Sequence, residues 1–180
     1  MKVISCDHRH VVEIGNIFNE AILNSTAIYD YEPRSLETIE AWIEAKNTGD
    51  YPIIGLVTDN GELMGFASFG AFRPWPAYQY SIEHSVYVDA RFRGQGVGSK
   101  LLAELISTAT DQAYHMMVGG IDSENIASIA LHQRHGFTHC ASIREAGFKF
   151  GRWLDLQFYQ LILPSRQASW NGEGLVSRRR

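Results

Sequence analysis

The run Asp89-Ala90-Arg91-Phe92-Arg93-Gly94-Gln95-Gly96-Val97-Gly98-Ser99-Lys100-Leu101-Leu102 constrains the fold most tightly. It sets three glycines at alternate positions, behind two arginines and ahead of an apolar pattern of helical period: Val97, Leu101, Leu102, Leu105 and Ile106. A strand pattern precedes it, with Ile82, His84, Val86 and Val88 on one face. A strand, a glycine turn and a helix in succession belong to an α/β layer. Glycines there serve one of two ends. They let backbone N–H groups gather at a helix N-terminus, where phosphate oxygens are favoured, or they supply dihedrals that other residues resist.

Two phosphate motifs fail on spacing. A dinucleotide fingerprint needs G-x-G-x-x-G in a first βα turn, with an acid about 20 residues on. Here the order is G-x-G-x-G in mid-chain, and no acid ends the following short strand before Gly119-Gly120, although Asp122 comes soon after. A P-loop needs G-x-x-x-x-G-K-[ST], and Gly98-Ser99-Lys100 breaks that order.

The rest of the chain completes one domain. Val12, Ile14, Ile17, Phe18, Ala21 and Ile22 make one face of a helix over 10–24, and a second helix follows Ser35, its N-cap. Asp59-Asn60-Gly61 turns a hairpin between two apolar runs. The helix after the glycines runs to about Ala113; a short buried strand precedes Asp122. Another helix stops at Gly136, and two strands surround a loop at 145–151. A domain is expected over 1–163, with a poorly ordered tail over 164–180 that ends in three arginines. The formal charge of −4 argues against nucleic acid as a partner. No apolar run is long enough for a membrane span, and the N-terminus lacks a signal peptide's apolar region. Cys6 and Cys140 make no disulfide framework, so reduced thiols and a cytoplasmic location are expected.

Arg91-x-x-Gly94-x-Gly96, between strand and helix, resembles the acetyl-CoA pyrophosphate loop of the GNAT superfamily of N-acetyltransferases, [QR]-x-x-G-x-[GA]. "DSENIASIALHQRHGF" resembles that superfamily's second cofactor segment. "TAIYDYEP", "GFASFGAFRP", "IEHSVYV", "LHQRHGF" and "GFKFGRWLDL", in that order, resemble the phosphinothricin and methionine sulfoximine/sulfone acetyltransferase branch. The resemblance implies a single α/β domain with a central mixed, largely antiparallel twisted sheet flanked by helices. It implies acetyl-CoA as co-substrate, no metal, a small amino-acid substrate and a homodimer. It also implies that the strand ending at Val88 splays from its neighbour to admit CoA.

By the same resemblance, Val86, Tyr87 and Val88 meet the acetyl and pantetheine portion. Arg93, Gly94, Gln95, Gly96, Val97, Gly98 and Ser99 hold the pyrophosphate, with Arg91 adding charge at the entrance. Asn125 and Ser128 contact pantetheine or adenine-side atoms, although Asn125 also suits a plain N-cap. An α-amine is largely protonated near neutral pH, so attack needs a proton acceptor. Glu83, on a strand among apolar residues, is the candidate base; an ordinary outward carboxylate is the alternative. His132 is the candidate donor to the CoA thiolate, with helix packing an equal alternative. His132 and His135 without a third ligand are a weak metal signal. Arg73 can pair a substrate carboxylate. Phe72, Trp75 and Tyr78 can wall a side-chain pocket, and Tyr29, on a loop after the first helix, can cover it. Lys149 and Trp153 are candidates for a dimer interface. Two other functions compete: an acetyltransferase for protein N-termini or another amine, and a non-catalytic acyl-CoA sensor.

Overall fold

The described residues form four α-helices and seven strands, ten of which these patterns predict; the exception is a first edge strand, which the sequence reading did not include. The computed structural model describes residues 1–164, so the expected tail from 165 onward lies outside the described residues. Strand β1 is Lys2–Ser5. Helix α1, Val11–Asn24, and helix α2, Leu36–Thr48, come next. Ser35 caps α2 as its position predicts, its Oγ accepting from the Thr38 amide at 3.2 Å. Strands β2, Ile53–Val57, and β3, Leu63–Ala71, form the expected hairpin, with Gly61 at φ +86°. Strand β4 is Ser81–Val88, and helix α3 is Val97–Asp111. Strand β5, Met116–Asp122, helix α4, Ile126–Arg134, and strands β6, Thr138–Lys149, and β7, Arg152–Ile162, complete the chain.

The strands make one sheet in the order β1-β2-β3-β4-β5-β7-β6. Among the described strands only β4 and β5 run parallel, because α3 carries the chain back across the sheet between them. One face packs on α3, with Phe69, Ile82, Leu101, Leu102, Leu105 and Met117 in its core. The other packs on α1 and α2 through Ile14, Phe18, Ile39, Ile43 and Phe66. β4 alternates between them: Ile82 and His84 are buried toward α3, and Val86 and Val88 pack against the same cluster.

Two expected boundaries move. Helix α3 ends before Ala113, which stands at φ +59°. The expected loop at 145–151 is mostly strand. A bulge between Ile143 and Gly147 absorbs the extra residues, with Glu145 at φ +53° and its amide bonded to Asp155. Pairing then resumes, and a two-residue turn, Phe150-Gly151, closes the hairpin with both residues at positive φ.

Candidate active site

The site is built where β4 leaves β5. On one side β4 pairs with β3 along its length, from Gly65↔Val88 to Ala71↔Ile82. On the other it pairs with β5 only at Ser81↔Met116, Ile82↔Met117 and Glu83↔Val118. Beyond Glu83 no register pair with β5 follows, although both strands continue. A cleft of about 830 Å³ opens from that gap to the glycine turn. Val86, Tyr87, Val88, Arg93, Gly94, Gly96, Val97, Gly98, Ser99, Asn125, Ser128 and His132 all line it. The structure thus brings together nearly all the residues expected to hold a CoA chain.

Two of the expected cofactor positions differ. Gln95 is exposed and off the cleft wall, its Nε2 donating to the Arg91 carbonyl. Arg91 does not guard the entrance: its guanidinium is bonded to Asp89 at 2.7 Å and to Glu62 at 2.6 Å. Arg93 lines the cleft but is tied to Glu20 of α1 and donates to the Val88 carbonyl at 3.2 Å.

The glycine turn suits an anion. Gly94 and Gly96 stand at φ +76° and +80°, and a Cβ at either would meet nothing within 4 Å. Their requirement is therefore conformational, and the space beside them is free. The first intrahelical bond is Lys100 N–H to the Gly96 carbonyl, so helix geometry leaves the Val97, Gly98 and Ser99 amides without intrahelical partners. Asn125 caps α4, its Oδ1 accepting from the Ser128 amide at 3.1 Å, so the plain N-cap role is real as well.

Glu83 points to the α1–α2 face, since its partner Gly70 alternates with Phe69 of the other core. Its carboxylate reaches over Gly120, whose Cβ would lie 3.6 Å from Oε1. Burial pushes its carboxyl above the ordinary glutamate value, and Arg73 partly offsets this. On the opposite face, the His84 ring covers Gly119: a Cβ there would come within 2.8 Å of His84 Cε1. The consecutive glycines of β5 thus clear room for Glu83 on one side and for His84 on the other.

His132 is buried, and its Nε2 lies 2.9 Å from His84 Nε2. Burial lowers the proton affinity of both rings. His135 turns away, its Nε2 meeting Ser99 Oγ at 2.8 Å. Among the described residues, no three His, Cys, Asp or Glu side chains gather to hold a metal.

The expected substrate residues lie off this cleft. Phe72 and Tyr78 meet edge-on at 5.8 Å, and Trp75, 63% exposed, sits 6.4 Å from Tyr78. Arg73 lies over the Phe72 ring and donates to its carbonyl at 2.8 Å, close enough to Glu83 to act on its charge. Tyr29 is held by its hydroxyl, which donates to buried Asp122 at 3.0 Å; burial and that contact raise the phenol's pKa. Lys149 corrects an expectation. It is buried, and its ammonium donates to the carbonyls of Ile22, Ser25 and Ile28, so it fixes the loop after α1 and offers nothing to a partner surface. Trp153 is 60% exposed.

A family model, the acetyltransferase (GNAT) family, matches residues 16–137. The chain belongs to this family. It is 45% identical to the L-methionine sulfoximine/L-methionine sulfone acetyltransferase of Pseudomonas paraeruginosa over 153 residues, 84% of this chain and 89% of that one. An N-acetyltransferase of Staphylococcus aureus superposes with a TM-score of 0.87 at 46% identity, covering 89% of this chain and 97% of that one. A GNAT phosphinothricin acetyltransferase of Sinorhizobium meliloti, solved with acetyl-CoA, gives 0.91 at 31% identity, covering 97% and 94%.

Within the GNAT frame, two side chains and a glycine pair escaped the sequence reading. His84 appeared only as a member of an apolar face; a second core-facing histidine, His132, was the available signal. Asp122 was noticed only as an acid too late for a dinucleotide site. Gly119-Gly120 carried the spatial information, because paired glycines inside a buried strand mark close approach on both faces.

Proposed function

We propose that this protein transfers the acetyl group of acetyl-CoA to the α-amine of a small amino-acid analogue, of the methionine sulfoximine, methionine sulfone or phosphinothricin kind. The observation that carries this is the gap between β4 and β5, with a half-buried carboxylate at its closed end and a bare glycine cradle at the other. Acetyl-CoA supplies an activated thioester. Gly94, Gly96, Val97, Gly98 and Ser99 hold its pyrophosphate, with Arg93 adding charge. Val86, Tyr87 and Val88 hold the pantetheine arm, and Asn125 and Ser128 flank it.

Glu83 takes a proton from the amine, directly or through water. Its raised carboxyl pKa suits a base working near neutral pH. Arg73 reads the substrate carboxylate, with Phe72, Trp75, Tyr78 and Tyr29 around the side chain. His132 donates to the leaving thiolate. Cys6 and Cys140 are both free thiols, which supports a cytoplasmic enzyme; no helix among the described residues is long and apolar enough to cross a membrane. The exposed edge strand β6 and Trp153 supply the surface for a homodimer.

A panel of amines assayed for CoA release tests the reading. Methionine sulfoximine, methionine sulfone and phosphinothricin are expected to turn over best. Preference for peptide N-termini would move the substrate class, and acetyl-CoA binding with no turnover of any amine would leave a sensor.

A further inference from the structure

His84 and His132 meet through their Nε2 atoms at 2.9 Å. The other nitrogen of each ring faces a backbone carbonyl: His84 Nδ1 lies 2.9 Å from the Val118 oxygen, and His132 Nδ1 lies 2.7 Å from the Ser128 oxygen. A carbonyl oxygen can only accept, so each Nδ1 must carry a hydrogen. Two neutral rings then have no hydrogen left for the contact between them, and two lone pairs would oppose each other at 2.9 Å. We propose that His84 and His132 share a third proton between their Nε2 atoms, and that His84 is the positioning residue that loads His132 with the proton given to the departing thiolate. This rests on the acetyl-transfer reading and adds to it the source of the proton.

The surroundings fit a shared proton that is held but readily given up. Both rings line a small cavity of about 80 Å³ where β4 and β5 part, beside Gly119 and Val86. Phe137 packs against both rings, at 5.2 Å from His84 and 5.1 Å from His132. Ser128 Oγ lies 3.4 Å from His132 Nδ1. The titratable group that acts on the pair from its surroundings is His135, which disfavours charge on His132. Burial works against a positive charge here. The paired geometry works for it, because one proton satisfies two nitrogens at once. The opposition leaves the proton weakly held.

The step balances as follows. The neutral amine attacks the thioester carbonyl carbon and forms the C–N bond. The C–S bond breaks and its electron pair goes to sulfur. The shared proton passes from His132 to that sulfur, giving a thiol; Glu83 has already taken the proton that made the amine neutral, and the nitrogen loses its remaining extra proton to water. The neutral histidine pair, its lone pairs now opposed, takes a proton back from solvent.

The test is nitrogen-15 NMR of the histidine-labelled full chain without substrate, with kinetics of His84→Gln and His132→Gln. The glutamine amide can still donate to His132 Nε2 but cannot carry the charge. Expected are two protonated Nδ1 atoms, two similar Nε2 shifts between those of imidazole and imidazolium, and one strongly deshielded proton that His84→Gln abolishes. In a variant whose melt shows it folded, kcat should fall by roughly 10²-fold, with KM for acetyl-CoA within about threefold of wild type and a changed pH profile. Two neutral rings with one bare Nδ1 at every pH between about 6 and 8 would overturn the shared proton, whatever the activity. A wild-type kcat in folded His84→Gln would overturn its role. The NMR result needs no turnover, so it stands even if no amine is acetylated. A fast His132→Gln enzyme would instead defeat the reading of His132 as the donor.

Discussion

The two edges of β4 are built from the same eight residues and treated in opposite ways. Toward β3 the antiparallel ladder is continuous. Toward β5 the parallel ladder stops at Glu83, and the strands diverge. Opening a sheet in its middle forfeits backbone hydrogen bonds that a folded chain normally makes. Here the freed edge faces a cleft that continues to a helix N-terminus. The closed edge holds β4 rigid, and the open edge presents it. On the proposed reading, catalysis takes place where one becomes the other; Glu83 is the last residue paired on both sides.

The strongest attack on that idea removes the proposed base at the branch point. Glu83→Gln keeps shape and pairing, and is expected to lower kcat by ~10²–10⁴-fold with little change in acetyl-CoA affinity. The sign of the pH effect follows from its raised pKa. Wild-type activity should climb with pH as Glu83 ionises above the usual glutamate range. The variant's defect should shrink at high pH, where the amine arrives neutral. A Glu83→Gln enzyme with near-normal kcat at pH 7 would exclude the base role. Slow turnover with no rescue at high pH would indicate substrate positioning.

Arg73 sharpens the comparison from the loop that joins β3 to β4. Arg73→Ala should raise KM for an amino acid roughly 10- to 100-fold, the loss of one charge-assisted pair at about 1.5–3 kcal/mol, and leave KM for acetyl-CoA unchanged. It should also move the acid limb of the pH profile upward, because Arg73 now holds the Glu83 pKa down. An equal loss with the decarboxylated amine would show that the guanidinium reads no carboxylate.

The two glycines of β5 test the geometry across the gap. Gly119→Ala would force a Cβ to 2.8 Å from His84 Cε1, on a ring fixed at both nitrogens. A destabilisation of about 1–3 kcal/mol is expected, with a loss of kcat. For Gly120→Ala the nearest atoms are Leu156 Cδ1, Phe158 Cε1 and Glu83 Oε1 at 3.4–3.6 Å, ordinary contact distances, and the change should cost less than about 1 kcal/mol. Thermal melts of the pair that matched would mean that the His84 ring does not press on β5.

How much of this was legible in sequence depended on distance along the chain. Local chemistry was plain: the Ser35 cap, the Asn-Gly hairpin, the Gly136 helix stop and the strand–glycine–helix passage each fit within a few residues. Alternation also separated Glu83 from His84, which predicts opposite faces. Strand β1 was missed because four residues with mostly exposed side chains carry little pattern. Lys149 was misread because its three carbonyl partners lie more than a hundred residues away, and nothing in "GFKFGRW" announces an internal ammonium. The bulge at Glu145 hid a strand for a similar reason: its amide is satisfied by Asp155 from the neighbouring strand.

The smallest expected effect separates two roles that Asn125 holds at once. It caps α4 through the Ser128 amide, and it lines the cleft that β4 opens. Asn125→Ala should cost about 1 kcal/mol of stability from the cap alone, read as a small fall in Tm. Asn125→Asp restores a capping oxygen and adds charge that the helix N-terminus favours, so its Tm should recover. If the cleft side is occupied by the CoA chain, that added charge lies near a polyanion, and Asn125→Asp should bind acetyl-CoA more weakly than Asn125→Ala despite its higher Tm. Affinity and stability then move in opposite directions across the two variants. If Asn125 is a cap only, both should follow the melt and acetyl-CoA affinity in Asn125→Asp should equal wild type.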